Sequence, residues 1–284
     1  MKVLILGATG MLGNAVTRFL ADSAGFDVVA TARSTASVRL LPASLRARIV
    51  AGIDVENVDA VIRLFGDVRP DIVINCVGLI KQLDDSNNPL AALPINALQP
   101  HRLARLCALG GARFIHISTD CVFAGTRGNY DEASIPDATD LYGRSKLLGE
   151  VDYPNAVTLR TSIIGHELGG NTGLIDWFLS QKGTVKGFTG AVFSGLPTVE
   201  LARVIRDHVI TRPDLRGLYH VSAAPITKYD LLMLVREVYA VDIGIIPDDD
   251  LEIDRSLNST RFRAATGYAP PVWRDLVRTM HAFG

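Results

Sequence analysis

The spacing of apolar and polar positions divides the chain into two styles. In the first half, short unbroken apolar runs predict buried strands at Val3–Leu6, Asp27–Ala32, Arg48–Ala51, Ile72–Asn75, Phe114–Ile117 and Ala156–Leu159. Between most of them the apolar positions recur at helical spacing, as in Met11–Ala21, Val55–Phe65 and Leu103–Leu109. Strands apolar on both faces, alternating with helices, imply a doubly wound parallel sheet of the α/β class.

The second half reads differently. Residues 161–200 are rich in Gly, Thr and Ser, loosest at "ELGGNTG". A helix is expected through "VELARVIRDHVI", with Thr198 as its N-cap. Then come a strand at "LYHVS", a helix at "TKYDLLMLVREVY" capped by Thr227 and Asp230, a short strand at "IGIIP", and a rigid aromatic turn at "GYAPPVW". We place the division at residue 160. Residues 1–160 form the sheet unit, and residues 161–284 form mainly a smaller α/β lobe with some segments returning to the first unit.

Composition narrows the function. The 284 residues are 48% hydrophobic and 21% charged, with a net charge of −1, so electrostatics give no reason to expect a nucleic acid or membrane partner. Cys76, Cys107 and Cys121 are odd in number and far apart, which favours no metal site or disulfide framework and a cytoplasmic setting. The opening "MKVLILGATG" breaks at Gly7 before it could act as a leader, and no apolar run reaches membrane-spanning length.

"VLILGATGMLG" runs from strand through Gly7, Gly10 and Gly13 into a helix. In that context the glycines serve a tight turn, close approach to a pyrophosphate, and close packing of helix on strand. The first unit is therefore expected to be a Rossmann-type dinucleotide site, with Thr9, Met11 and Leu12 lining the loop and the helix N-terminus facing phosphate. After the second strand stand Arg33 and Ser34, with no acidic residue to hold a ribose diol. Arg33 suits a 2′-phosphate, which favours NADPH and leaves NADH as the alternative. Asp54 and Val55 follow the third strand, where Asp54 either meets the adenine or caps a helix; Cys76, Val77 and Gly78 run along the cofactor.

"FIHISTDCVFAG" ends a strand with Ser118 and Thr119 at the sheet edge where ligands bind. Tyr142 and Lys146 follow, four apart on one helical face. A ketone reductase needs this set. Thr119 hydrogen-bonds the carbonyl oxygen, Tyr142 donates the proton, and the Lys146 ammonium makes the phenol a better acid and holds the ribose. Pro100, four residues after Asn96, removes a helical donor, which frees the Asn96 carbonyl to hold a water beside Lys146 or leaves only a packing kink.

In order, "GATGMLG", "NCVG", "ISTDCVFAG", "YGRSK" and "LRTS" resemble an extended short-chain dehydrogenase/reductase, most closely the dTDP-4-dehydrorhamnose reductases. The resemblance covers residues 1–162, and more loosely "SGLPTVELA" and "GYAPPVW". It implies NADPH-dependent reduction of the 4-keto group of a nucleotide-linked deoxysugar by Thr119, Tyr142 and Lys146. It also implies Ser118, Asp120, Arg160, Thr161 and Ser162 on the substrate side. Cys121 and Ile163 stand where the family commonly carries an aromatic residue and a tryptophan, and both positions face the sugar in the enzymes this chain resembles.

Three other readings compete. Dehydratases of the superfamily carry a second acid after "TD", where this chain has Cys121. Epimerases share the Tyr–Lys pair and retain their cofactor. A regulatory subunit of methionine adenosyltransferase resembles the same family and acts by binding. A homodimer is compatible with the fold. The "PDDD" run, His166 with Glu167, and Trp177 with Phe178 read as an acidic turn, loop hydrogen bonding and lobe packing respectively.

Overall fold

The computed structural model describes residues 1–80 and 87–284. Its centre is a seven-stranded parallel sheet. The strands are β1 (Lys2–Leu6), β2 (Asp27–Ala32), β3 (Ile49–Ala51), β4 (Ile72–Asn75), β5 (Arg113–Thr119), β6 (Ala156–Thr161) and β7 (Gly217–His220). They lie in the order β7-β6-β5-β4-β1-β2-β3. The order reverses between β1 and β4, so the crevice beyond their C-terminal ends is the expected ligand site.

Alternation along the strands fills both faces. Val3, Ile5, Ile72 and Ile74 pack with Leu12, Val16 and Leu20 of α1 (Met11–Ala21) on one face. Leu4, Leu6, Val73 and Phe114 pack on the other with α2 (Val58–Val68) and α3 (Gln99–Leu109). The helix after β3 begins at Val58 rather than Val55, because Asn57 caps it by accepting the Ala60 N–H at 3.0 Å. Asp54 instead closes a turn onto the Glu56 N–H.

The second half supplies β7 to the main sheet, pairing Gly217–His220 with Val157–Arg160. Its other strands form small sheets: Gly244–Asp248 beside Thr184–Phe188, and Ile226–Thr227 and Ile253–Asp254 flanking Ala191–Phe193. The helix Thr198–Val204 is capped by Pro197; Thr198 is its first residue, buried against Gly165. Thr227 does cap Lys228–Val238, accepting the Asp230 N–H at 3.0 Å. At the "GYAPPVW" turn, Trp273 donates its indole N–H to the Ala224 carbonyl at 2.6 Å. Of the two residues read as lobe packing, Phe178 is buried and Trp177 is 36% exposed.

Candidate active site

The phosphate loop is built almost wholly of backbone. Gly7 has φ +90°, a left-handed conformation that favours glycine. Its N–H donates to Thr31 Oγ1 at 3.2 Å, and its carbonyl accepts the Gly10 N–H at 3.1 Å. A Cβ on Gly13 would overlap the Gly7 carbonyl oxygen, so α1 approaches this turn as closely as a helix can. Among the described residues no side chain caps α1. Its first N–H groups thus face the crevice with the helix dipole behind them, which fits a pyrophosphate. Beside the loop lie Thr9, Met11 and Leu12, and across the crevice Cys76, Val77 and Gly78, with Val77 against Gly7. Arg33 is exposed at the end of β2 and makes no hydrogen bond or ion pair among the described residues. Ser34 is committed to a short helix, accepting the Ser37 N–H. Asp54 is exposed and Val55 buried near the end of β3.

The opposite wall is made of side chains. The last three residues of β5 face three successive turns of α4 (Leu141–Leu148) and the residues just beyond it. The Tyr142 phenol hydrogen-bonds the Thr119 hydroxyl. Lys146 Nζ donates to the Ile117 carbonyl at 2.9 Å. Ser118 Oγ donates to Glu150 at 2.7 Å. Asp140 accepts the Gly143 N–H at 2.8 Å and so caps α4, holding the ladder in place.

Electrostatics here differ from expectation in one respect. Burial raises the Tyr142 pKa, and Cys121 and Asp120 push it the same way against the hydrogen bond from Thr119. The phenol therefore stays protonated. Burial lowers the Lys146 pKa to about 8, against the opposing pull of Glu150 and Cys76. Burial also raises Asp120, opposed first by Arg255 and then by bonds from Thr119, Cys121 and Ser162. The Cys121 thiol is pushed up to about 12 by burial and by Asp120, so it is a small apolar neighbour and no nucleophile.

Two expected roles are reassigned. The Asn96 carbonyl sits over Gly149, where a Cβ would overlap it, and so faces the end of α4. The chain accommodates Pro100 with a wide π turn, Leu93–Leu98. The side chain of Asn96 is the part that approaches the site: its amide clasps the Leu79 backbone at 2.8 and 3.0 Å and donates to Ser145 Oγ at 3.1 Å. Arg160 is not free for substrate. It grips Glu150 through two bonds of 2.6 Å, approaches His220 Nε2 at 3.2 Å, and is buried. Thr161, Ser162 and Ile163 continue from β6; Thr161 is buried and bonds the Ser162 carbonyl, and Ile163 is partly exposed.

Three residues were missed in the sequence. Glu150 gave a faint signal, standing four places after Lys146. His220 is held by Arg160 and the Tyr130 carbonyl. Arg255 comes from the far end of the chain and reaches the Thr119–Cys121 loop, donating to the Phe123 carbonyl at 2.8 Å and lying 3.8 Å from Cys121 Sγ. It gave no sequence signal, because 134 residues separate it from Cys121.

The glycine loop and the hydroxyl–Tyr–Lys wall both lie at the switch point, the crevice where doubly wound sheets bind their ligands. The family model for the RmlD substrate binding domain matches residues 1–281, and the chain belongs to that family. It is 29% identical over 268 residues to a probable low-salt glycan biosynthesis reductase of Haloferax volcanii, covering 90% of this chain and 86% of that one. It is 24% identical over 307 residues to a dTDP-4-dehydrorhamnose reductase of Aggregatibacter actinomycetemcomitans, covering 99% of each. The fold is shared with the dTDP-4-dehydrorhamnose reductase of Bacillus anthracis solved with NADP, at a TM-score of 0.81 and 21% identity, covering 100% of this chain and 99% of that one.

Proposed function

We propose that the protein is an NADPH-dependent reductase of the 4-keto group of a nucleotide-linked deoxysugar, of the dTDP-4-dehydrorhamnose reductase kind. The observation that carries this reading is the ladder that sets Thr119 against Tyr142 and Lys146 against the strand end, facing the glycine loop. A nicotinamide cofactor held along that loop would supply the hydride. Gly7 to Gly13 and the start of α1 would hold its diphosphate, and Arg33 would pair with a 2′-phosphate.

The residues of the wall then handle the oxygen. Thr119 and Tyr142 converge on the substrate carbonyl oxygen, where negative charge grows. Tyr142, kept protonated by burial, gives the proton. In the resting site Thr119 donates to Asp120 at 3.2 Å, a long bond that is cheap to exchange for the substrate oxygen. Lys146 holds the ribose hydroxyls while it is an ammonium, below a pH of about 8. Asp120, Cys121, Ser162 and Ile163 border the sugar, and Cys121 and Ile163 leave more room than aromatic residues would.

The test is NADPH consumption with dTDP-4-dehydrorhamnose, run beside Tyr142→Phe. The variant is expected to lose about 10³-fold in kcat and to keep its NADPH affinity. A wild type that binds NADPH and the sugar nucleotide without turnover refutes the reductase reading. So does a variant as active as the wild type.

A further inference from the structure

We infer that Glu150 is a positioning residue of this site: clamped by Ser118 and Arg160, its carboxylate holds the catalytic helix in register with β5 and keeps Lys146 charged. The inference rests on the reductase reading for its consequence in turnover, though not for its consequence in cofactor binding.

Glu150 is the third rung of the ladder. Tyr142, Lys146 and Glu150 are four residues apart, and they meet Thr119, the Ile117 carbonyl and Ser118, three consecutive residues of one strand. A slip of α4 along its axis would break all three together. Ser118 and Arg160 are direct neighbours across β5 and β6, so both can reach one carboxylate. Arg160 takes it with two bonds of 2.6 Å, and Ser118 adds a third of 2.7 Å to Oε1. The side chains of Arg160 and Glu150 are only 4% and 11% exposed. From the other side, the Asn96 carbonyl presses on Gly149, so the helix exit is pinned between the π turn and the strand.

The charges point the same way. Lys146 is faced by the Cys76 thiol from the end of β4, by His116 of β5, and by Glu150. Burial keeps the first two neutral, pushing Cys76 up to about 12 and His116 well down. Glu150 therefore supplies the negative charge that opposes desolvation of the Lys146 ammonium, with Arg160 beyond it on β6.

The experiment compares NADPH affinity and kcat/KM across pH in the wild type, Glu150→Gln and Ser118→Ala. Glutamine keeps the shape and loses the charge. Its alkaline limb is expected about one pH unit lower than that of the wild type. Ser118→Ala loses one hydrogen bond and keeps the charge, so its limb is expected to coincide with the wild type while its Tm falls. A purely structural Glu150 would lower Tm and leave the limb in place, and that result overturns the inference. Where Glu150→Gln fails to fold, Glu150→Gln combined with Arg160→Met removes both buried charges. Its limb is expected to move the same way, and an unmoved limb again overturns the inference. Absence of turnover in the wild type would refute the reductase reading alone, because the NADPH-binding limb still decides the role of Glu150.

Discussion

The two walls of the crevice are built on different principles. The proposed cofactor wall is backbone: Gly7, Gly10 and Gly13 shape it by lacking side chains, and the groups it offers a ligand are the N–H groups of one helix start. The opposite wall is side chain: Thr119, Tyr142 and Lys146, with Glu150, Arg160 and Arg255 supporting them, come from two strands, one helix and its exit, and a distant loop. A backbone site is written in one contiguous stretch and fails when an atom is added. A side-chain site is assembled from several stretches and fails when a charge loses its partner.

The largest expected effect breaks the second wall. Arg160→Leu leaves the Glu150 carboxylate buried without its bidentate partner and is expected to cost about 3–5 kcal/mol of stability. Denaturant unfolding measures it, and a loss under ~1 kcal/mol would mean that the ion pair matters little.

Acid attacks the same wall through His220. Its Nδ1–H donates to the Tyr130 carbonyl, and its Nε2 faces Arg160, so the fold holds the ring neutral. Burial and then Arg160 lower its pKa from 6.5 to about 4. The unfolded chain therefore binds the proton more readily. Stability is full above the unfolded pKa and falls as pH drops from about 6.5 toward 4, by up to about 3 kcal/mol. Melting temperature against pH should show this slope, and His220→Gln should flatten it.

The cofactor wall breaks differently. Gly13→Ala places a methyl against the Gly7 carbonyl and is expected to cost about 1–3 kcal/mol, with NADPH binding lost as the loop moves. Calorimetric titration with NADPH checks it; tight binding by the variant would show that the approach of α1 is slack. The smallest effect is at Arg33. Arg33→Ala is expected to weaken NADPH about tenfold and leave NADH unchanged, the worth of one charge-assisted contact to the 2′-phosphate. Equal losses for both nucleotides would place the 2′-phosphate elsewhere.

How much was legible follows the same division. The strands and α1 were readable because two-faced burial and helical periodicity are local patterns. The glycine turn and the shared helical face of Tyr142 and Lys146 were readable because both depend on residue type at short spacing. Boundaries set by competition between neighbours were not: Asn57 takes the cap that Asp54 offered, and Pro197 takes the cap expected of Thr198. The engagement of Arg160 was not, because its partners Glu150 and His220 lie 10 and 60 residues away.

By itself, the sequence determined the sheet, the glycine turn into α1 and which hydroxyl, phenol and amine stand at the crevice, since each rests on local periodicity or on the chemistry of a few adjacent residues. Tertiary structure alone decided how those groups are charged and held. Burial sets the proton on Tyr142 and loosens the one on Lys146. A carboxylate beyond the helix end opposes that loss, and an arginine from the neighbouring strand fixes the carboxylate. Desolvation and charge pairing depend on what surrounds a group in space, and in this fold those surroundings come from segments far apart along the chain.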